Sequence, residues 1–335
     1  MKQPETAKAW TPSLLSVVPC YNEEEVLARS GKILADVLQS MQAGGKVSSA
    51  SKILFVDDGS QDSTWDIINH LHKSSEIFAG ISLAHNAGHQ NALMAGLMRA
   101  LDAGYDITIS IDADLQDDPG VMEEMVDKYL QGAQIVYGIR ENRDTDTAFK
   151  RNTAAAFYRM MKRLGVEEEE NCADFRLMSY RALRALSQYR ESNLYLRGIV
   201  PALGFKTDRV YYSRKERTAG ESKYPLPKML HLAMDGLTSF SLKPMELILR
   251  AGILSLGASV LVLAASLIWG VSLYKGFMAF SLWAAAGLIL SAIGILGQYT
   301  GRTYMEAKRR PRYIIDEETG LEKQEGNIFH LSQAR

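Results

Sequence analysis

Two aspartates and a glutamine follow a short apolar run at residues 107–111. Asp112, Asp114 and Gln116 occupy alternate positions in the sequence DADLQ. Because side chains alternate along an extended chain, the two carboxylates project to the same side. Carboxylate and amide oxygens suit a hard divalent cation such as Mg²⁺ or Mn²⁺. The stretch therefore predicts a metal site that can hold a diphosphate, with a plain acidic turn as the alternative.

The surrounding sequence predicts the elements that position this stretch. Strands are predicted from apolar runs at residues 14–19, 53–56, 78–84 and 107–111. Apolar residues recur at helical spacing from Val26 to Leu38, and a further helix is expected over about 91–103. Ser63 and Asp66 form a capping-box pattern, which predicts that another helix begins at this point. This alternation of strand and helix predicts a parallel sheet that is covered on both faces.

Polar clusters lie where three of these predicted strands end, at residues 21–23, 57–60 and 112–116. The carboxyl ends of parallel strands meet at one edge of a sheet, so the clusters are expected to converge there. Asp57 is expected to hold its own turn. His89, at the entry to the helix near residue 91, is expected either to contact a sugar or diphosphate or to cap that helix.

Neither G-x-G-x-x-G nor G-x-x-x-x-G-K-[ST] occurs in the chain, so a dinucleotide turn and a P-loop are excluded. A net charge of −1 gives no general attraction to nucleic acid, and no nucleic-acid partner is expected. The two cysteines, Cys20 and Cys172, lack metal-ligand spacing and are expected to be reduced. The polar N-terminus does not have the form of a cleavable signal peptide.

Two later segments, Ala251–Trp269 and Phe277–Gly297, are each about 20 residues of apolar or small side chains, which is enough to span a bilayer as a helix. Lys275 is the only charge between Ala251 and Gly301. The short connection predicts a transmembrane hairpin, with two buried core helices as the alternative. Basic residues on both flanks place the two ends in the cytoplasm. These residues are Lys243, Arg250, Arg302, Lys308, Arg309, Arg310 and Arg312.

Just before the hairpin, apolar residues fall on one face of a predicted helix. They are Leu230, Ala233, Met234 and Leu237. Such a stripe is typical of an amphipathic helix at the membrane interface, and also of an ordinary packing helix. In either case the preceding segment 217–223 is expected to lie close to lipid headgroups.

Four motifs in order resemble the family-2 inverting glycosyltransferases of GT-A fold. They are SVVPCYNEEE at 16–25, VDDGSQDST at 56–64, DADLQ at 112–116 and ADFRLM at 173–178. RTAGESK at 217–223, the paired apolar segments and GRTY at 301–304 further resemble the polyprenyl-phosphate (bactoprenol) glucosyltransferase branch, which is related to dolichol-phosphate mannose synthase. The resemblance spans residues 13–315.

The resemblance implies a role for each candidate site residue. The metal, Mg²⁺ or Mn²⁺, is implied to bind Asp112, Asp114 and Gln116. The nucleoside is implied to contact Pro19, Tyr21, Glu23, Val56 and Asp58. By motif position, the cations expected to hold phosphate groups are Arg140, Arg151, Arg217 and Lys223. Asp174 takes the place of the base in relatives with hydroxyl acceptors, and here its role is left open between a base and a group that orients the acceptor or an arginine.

The predicted architecture is an α/β, Rossmann-like GT-A domain with a mostly parallel sheet, followed by interfacial amphipathic helices and a two-helix transmembrane hairpin. The boundaries are a glycosyltransferase domain at 1–225, an amphipathic segment at 226–246, the hairpin at 247–302 and a C-terminal tail at 303–335. The catalytic domain and both termini are expected to be cytoplasmic. The resemblance suggests a homotetramer, in which a tail hairpin around residues 318–320 could pair with a neighbouring subunit.

The predicted reaction is metal-dependent, inverting transfer of glucose from UDP-glucose to undecaprenyl or a similar polyprenyl phosphate at the cytoplasmic membrane. Donors left open are UDP-GlcNAc, UDP-galactose and GDP-mannose. A processive synthase is disfavoured because the Gln-x-x-Arg-Trp motif is absent. A non-catalytic membrane scaffold with a degenerate glycosyltransferase fold is the alternative from another class.

Overall fold

The computed structural model describes residues 10–141, 172–191, 194–213 and 274–322, together with 248, 250–254, 257 and 261. The chain divides into two compact units. One comprises residues 1–155, 168–222 and 311–335, and the other comprises residues 156–167 and 223–310. The chain therefore leaves the first unit twice, for residues 156–167 and for residues 223–310.

The first unit is built on an eight-stranded sheet in the described residues, with the order β7-β5-β6-β4-β1-β2-β3-β8. The strands are β1 (Leu14–Cys20), β2 (Lys52–Asp57), β3 (Phe78–Leu83), β4 (Ile107–Ser110), β5 (Ile135–Arg140), β6 (Cys172–Ser179), β7 (Thr207–Tyr212) and β8 (Ile315–Thr319). The four strands predicted from apolar runs are confirmed as β1 to β4. Strands β1, β2, β3 and β4 are mutually parallel, as expected for strands joined by helices.

Helices alternate with these strands. They are α1 (Leu27–Ala43), α2 (Thr64–Ser74), α3 (His89–Ala103), α4 (Met122–Leu130), α5 (Tyr180–Leu186), α6 (Leu196–Ala202) and α7 (Tyr274–Lys308). The predicted helices at 26–38 and 91–103 correspond to α1 and α3. Helix α3 packs closely on the sheet because Gly96 has no side chain. A Cβ there would lie 2.3 Å from Val17 Cγ1 and 2.8 Å from Val56 Cγ2.

The helix predicted from the capping-box pattern is α2, but the predicted capping hydrogen bond of Ser63 does not form. Ser63 is the N-cap residue, but its side chain accepts no capping hydrogen bond. Asp62 Oδ1 instead accepts from the backbone N–H of Thr64 at 3.0 Å. The N–H of Ser63 donates to Glu24 Oε2 at 3.0 Å, so this corner is used to join the loops after β1 and β2.

The sheet is mixed because β6 runs antiparallel to both β4 and β5. Its first residues therefore lie at the same edge as the carboxyl ends of β1, β2 and β4. Ser110 of β4 pairs with Arg176 of β6. Asp112 lies two residues after Ser110, and Asp174 lies two residues before Arg176, so the antiparallel pairing brings both aspartates to the same end of the sheet.

The C-terminal strand β8 lies in the predicted tail and pairs antiparallel with β3 of the same chain. Side chains reinforce this pairing, since Trp65 Nε1 donates to Glu317 Oε2 at 3.0 Å and Arg99 forms an ion pair with Glu318. Part of the tail thus belongs to the catalytic sheet. The second half of the tail hairpin that we expected, beyond residue 322, lies outside the described residues.

Helix α7 contains the second predicted transmembrane segment and extends beyond it at both ends. Residues Ala284–Lys308 form one helix that is long and apolar enough to cross a membrane, and none of its most apolar window is buried. Leu282 and Leu290 on this helix are 72% and 70% exposed. Of the first predicted segment, residues 251–254, 257 and 261 are helical, while most of it and the predicted amphipathic segment 226–246 lie outside the described residues.

Candidate active site

The loops after β1 and β2 are joined by hydrogen bonds at the carboxyl edge of the sheet. The backbone N–H of Asp58 donates to the carbonyl of Cys20 at 2.9 Å. The N–H of Asn22 donates to Ser60 Oγ at 2.9 Å, and that of Glu23 donates to Thr64 Oγ1 at 2.9 Å. The predicted convergence of the polar clusters at 21–23 and 57–60 is therefore confirmed.

The residues implied to hold the nucleoside lie along these two strands. Pro19 and Val56 are register partners in β1 and β2, and both are buried, so each can present only its backbone to a ligand. Tyr21 is 38% exposed just beyond the end of β1, and Glu23 is half-buried. The structure thus brings Tyr21 and Glu23 to the surface of the sheet edge, where a nucleoside could reach them.

Both carboxylate oxygens of Asp58 accept hydrogen bonds from the protein backbone. Its side chain is buried, and its two carboxylate oxygens accept the backbone N–H groups of Ala87 at 2.7 Å and Gly88 at 3.0 Å. Burial raises the pKa of Asp58 even though these hydrogen bonds oppose the rise. The carboxylate therefore fixes the loop before α3.

A glycine makes this close approach possible. Gly59 has a φ of +65°, and a Cβ there would lie 2.6 Å from the carbonyl carbon of His85 and 2.7 Å from the nitrogen of Asn86. Only glycine tolerates both the backbone conformation and the contact. The turn after β2 thereby sits directly against the loop that leads into α3.

Asp57 holds its turn, as expected from the sequence. Oδ1 accepts the N–H of Ser60 at 3.2 Å, and Oδ2 accepts the hydroxyl of Ser82 at 3.1 Å. The side chain is 2% exposed. Asp57 therefore joins β2 to β3 and faces the protein.

The candidate metal residues lie in a tight loop after β4. Asp112 and Asp114 are half-exposed, whereas Gln116 is buried. The N–H of Gln116 donates to Asp114 Oδ1 at 3.2 Å, and that of Leu115 donates to the carbonyl of Asp112 at 3.2 Å. Leu115 has a φ of +46°, a left-handed conformation that costs a non-glycine residue free energy. The strained turn places both aspartates beyond the end of the strand.

The electrostatics of Asp112 fit a cation. Desolvation raises the pKa of Asp112 to about 6, His89 opposes the rise, and three neighbouring carboxylates add to it. Those carboxylates belong to Asp174, Asp117 and Asp114. A divalent cation bound at Asp112 would relieve this crowding of like charge.

Among the described residues, no group of three His, Cys, Asp or Glu side chains is arranged as a metal cage. Two carboxylates and one amide oxygen nevertheless suit Mg²⁺ or Mn²⁺. Mg²⁺ is commonly held by one or two carboxylates together with substrate phosphates. The donor set therefore fits a metal whose remaining ligands come from a diphosphate and water.

Arg140, which was predicted to hold a phosphate group, is paired with a carboxylate of the protein. Its Nε and Nη2 donate to the two oxygens of Asp117 at 3.0 and 3.1 Å, in a bidentate pair. Asp117 is 2% exposed and follows Gln116 directly. Although burial opposes it, the charge of Asp117 raises the pKa of the Arg140 guanidinium further. Arg140 thus ties the end of β5 to the loop that carries the candidate metal residues.

Asp174 lies at the centre of a cluster of donors. Oδ1 accepts from Arg176 Nη2 at 2.6 Å. Oδ2 lies 3.3 Å from His89 Nε2, 3.3 Å from Gln90 Nε2 and 3.4 Å from Arg197 Nη2. Burial would raise the pKa of Asp174, but Arg197, His89 and Arg176 together hold it well below its usual range. Asp174 is therefore a permanent anion at neutral pH.

His89 links this cluster to the candidate metal residues. Its Nε2 lies 3.3 Å from Asp174 Oδ2 and 3.8 Å from Asp112 Oδ1. Desolvation opposes protonation, but the bond to Asp174 and the charge of Asp112 raise the pKa of His89 to about 9. The N-cap residue of α3 is Gly88, whereas the ring of His89 contacts two carboxylates of the candidate site, and its contact with a sugar or diphosphate stays a prediction.

Several site residues were missed by the sequence analysis. Arg176 lies two positions after Asp174 in the quoted motif ADFRLM, and strand alternation could have placed it on the same side. Gln90 and Arg197 gave no signal because they come from separate helices that only the fold brings together. Three predicted cations, Arg151, Arg217 and Lys223, lie outside the described residues.

Comparison with known proteins gives consistent matches. The glycosyl transferase family 2 domain matches residues 16–187. The chain is 47% identical to the uncharacterized glycosyltransferase YkoT of Bacillus subtilis (strain 168), over 91% of each chain. It is 37% identical to the bactoprenol glucosyl transferase of Shigella phage SfV, over 90% of this chain and 97% of that protein. The crystal structure of mannosyl-3-phosphoglycerate synthase from Rubrobacter xylanophilus is similar with a TM-score of 0.46 and 16% identity, over 67% of this chain and 71% of that one.

Proposed function

The chain belongs to glycosyl transferase family 2, and on this premise we propose that it transfers glucose from UDP-glucose to undecaprenyl or a similar polyprenyl phosphate. The observation that carries the proposal is the contact of half-exposed Asp112 with His89, which also contacts Asp174 and so joins the loop of Asp112 and Asp114 to the cationic cluster at one edge of the sheet. A relative named bactoprenol glucosyl transferase, matched over 90% of this chain, supports the choice of sugar and acceptor.

The donor is proposed to bind with its diphosphate against the loop after β4. Asp112, Asp114 and Gln116 would hold Mg²⁺ or Mn²⁺, which when bound offsets the charge that develops on the leaving diphosphate. Tyr21 and Glu23 would contact the nucleoside at the neighbouring edge. Asp58 supports that edge by holding the loop before α3.

The acceptor chemistry explains why a general base is dispensable. A phosphate monoester is already an oxyanion at neutral pH, so it can attack the sugar without losing a proton. It must instead be held close to a negatively charged diphosphate, and this calls for fixed cations. The described cluster supplies Arg197 and His89, and the segment 217–223 would add Arg217 and Lys223.

The membrane arrangement is proposed to match this acceptor. The exposed apolar helix Ala284–Lys308 supports membrane association. We extend this to a hairpin in which Ala251–Trp269 forms a second span and both ends, with their basic flanks, lie in the cytoplasm. The catalytic domain then faces the compartment that supplies nucleotide sugars.

A cysteine-labelling experiment tests the hairpin. In a variant in which Cys20 and Cys172 are replaced, a cysteine at Ser272 should react with an impermeant thiol reagent from outside intact cells. A cysteine at Lys308 should react only after the cells are opened. Labelling of both positions from one side would exclude two spans.

Transfer itself is tested with purified protein in detergent, undecaprenyl phosphate and a panel of radiolabelled sugar nucleotides. The panel contains UDP-glucose, UDP-GlcNAc, UDP-galactose and GDP-mannose. We expect label to enter the lipid phase from UDP-glucose, and the product to be stable to mild base but released by mild acid. Transfer from another donor alone would correct the sugar. Absence of transfer from all four would favour the non-catalytic scaffold.

The oligomeric state remains a prediction from the resemblance. A homotetramer is tested by light scattering of the detergent-solubilised protein, with the mass of bound detergent subtracted. A measured mass equal to that of one chain would contradict the predicted homotetramer.

A further inference from the structure

Ser30 lies in the first turn of α1, and its hydroxyl forms a hydrogen bond outside its own helix. A serine inside a helix can return its hydroxyl to a carbonyl of the preceding turn. Here the backbone N–H of Ser30 donates to the carbonyl of Val26 at 3.0 Å, but the hydroxyl donates to the carbonyl of Ala113 at 2.6 Å. Ser30 is 4% exposed, so this hydrogen bond is shielded from water. It joins two residues that lie 83 positions apart in the chain.

The acceptor of this hydrogen bond lies between the two candidate metal carboxylates. Ala113 separates Asp112 from Asp114, and its side chain is buried in the hydrophobic core. At the other end of the same loop, the buried carboxylate of Asp117 is paired with Arg140. The loop is thus held from two sides, by a hydroxyl of α1 and by a guanidinium of β5.

The loop needs such contacts because its backbone is strained. Leu115 has a φ of +46°, and a conformation of this kind persists in a non-glycine residue only where the surrounding structure fixes it. The hydrogen bond from Ser30 reaches the loop two residues before Leu115, and the pair with Arg140 reaches it two residues after. These contacts therefore fix the positions from which Asp112 and Asp114 leave the sheet edge.

The same turn of α1 is also tied to the candidate nucleoside residues. Tyr21 and Glu23 lie in the loop that leads into α1, and the carbonyl of Glu23 accepts the N–H groups of Val26 at 3.1 Å and Leu27 at 3.0 Å. Because Ser30 lies on this turn, its hydroxyl connects the loop that would contact the nucleoside to the loop that would hold the metal.

We propose that Ser30 is a positioning residue that fixes the spacing between these two loops, so that one nucleoside diphosphate reaches both. The inference rests on the proposed function, because it takes the first loop as the nucleoside contact and the second as the metal site. With the correct spacing, UDP brings its diphosphate oxygens to the metal, and each ligand strengthens the binding of the other. The hydroxyl of Ser30 acts through the carbonyl of Ala113 and touches neither ligand.

The test is calorimetry of UDP binding to the full chain in detergent, once with all divalent metal chelated and once with saturating Mn²⁺. The ratio of the two affinities measures the coupling between metal and nucleotide. Ser30→Ala removes the hydroxyl, and we expect the ratio to fall about threefold to tenfold, which is typical of one buried hydrogen bond. UDP affinity without metal should stay close to that of the wild type, because the loop that contacts the nucleoside keeps its own hydrogen bonds.

Two further variants separate positioning from folding. Ser30→Thr keeps a hydroxyl at the same place and should recover most of the ratio, and a ratio as low as that of Ser30→Ala would overturn the role of the hydroxyl. Ser40→Ala is the matched control, since Ser40 is an exposed serine on the same helix, and it should leave both affinities unchanged. Thermal unfolding of each variant sets a temperature at which all of them are folded, and the ratios are compared there.

The wild type separates this inference from the proposed function. If wild-type UDP affinity does not depend on Mn²⁺, the metal site of the proposed function is wrong, and the positioning role of Ser30 is wrong with it. If wild-type affinity depends on Mn²⁺ and Ser30→Ala has the same ratio, only the positioning role is wrong. Equal weakening of UDP binding with and without metal leads to the same conclusion, because the hydroxyl then supports the fold and not the spacing.

Discussion

Two pairs of carboxylates lie at the ends of two parallel strands, β2 and β4, which flank β1 in the sheet, and the two pairs differ in burial and in hydrogen bonding. Asp57 and Asp58, after β2, are 2% and 3% exposed, and each oxygen of both side chains accepts a hydrogen bond from the protein. Asp112 and Asp114, after β4, are half-exposed, and the side chain of Asp112 has 40% of its surface open to solvent.

The difference shows that an acidic motif at a strand end does not by itself reveal its partner. The first pair is surrounded by N–H and O–H donors, so its charge is used to bring two loops together. In the second pair, burial and the neighbouring carboxylates raise the pKa of Asp112, which disfavours its charge and would favour a cation beside it. The first pair joins the loops at the sheet edge, and the second pair is the one that we propose for substrate and metal.

The largest expected effect comes from Asp114→Ala. Removing one carboxylate from the candidate metal site should lower transfer by at least about a hundredfold, which is typical of losing one strong electrostatic contact to a developing charge. The free energy of unfolding should stay close to that of the wild type, because the side chain is half-exposed. Transfer assays and chemical denaturation measure the two quantities. Transfer at near wild-type rates would remove Asp114 from the metal site.

Asp117 resembles Asp57 and Asp58, because it is buried and both of its carboxylate oxygens accept hydrogen bonds from the protein. Arg140→Ala would leave Asp117 buried without its bidentate partner, and we expect a loss of about 2–3 kcal/mol in the free energy of unfolding. Replacing Asp117 by Asn in the same chain should recover part of this loss. If Arg140 instead serves as a phosphate ligand, the single variant will lose transfer at unchanged stability.

Asp58→Asn should destabilise the protein by about 1–3 kcal/mol, because an amide nitrogen would face one of the two N–H donors that the carboxylate now accepts. Asp66→Asn is the control, since Asp66 is an exposed carboxylate on α2. Urea denaturation of both variants gives the comparison. Equal stability would mean that Asp58 is held for a ligand rather than for the loop.

The smallest effect on stability is expected from Asp112→Asn. A folded-state pKa of about 6 lies above the usual value for aspartate, so ionised Asp112 opposes folding above that pH. The amide should therefore leave stability unchanged or raise it by up to about 1 kcal/mol at pH 8, since solvent screens a side chain that is 40% exposed. Because the penalty grows between the usual pKa of aspartate, about 4, and about 6, denaturation should show a larger gain at pH 8 than at pH 5. A clear loss of stability would place Asp112 in the same class as Asp58.

The sequence was sufficient for most of the local elements and for the parallel direction of the core strands. Apolar runs and helical spacing predicted β1 to β4 with α1 and α3, because each depends on neighbouring residues. It could not predict that β8 returns from beyond α7 to pair with β3, since strand pairing over that separation leaves no local signal. The same reason hid Gln90 and Arg197, which reach Asp174 only when α3, β6 and α6 come together.

Calorimetry of Mn²⁺ binding with and without UDP tests most directly whether Asp112 and Asp114 are the pair left for substrate and metal. Two carboxylates alone should bind Mn²⁺ weakly, and saturating UDP should strengthen binding by at least about tenfold, because the diphosphate supplies the missing oxygen ligands. Asp114→Ala should lose this gain, whereas Asp66→Asn should keep it. Mn²⁺ affinity that is independent of UDP, or UDP affinity that is unchanged by chelation of all divalent metal, would contradict the account.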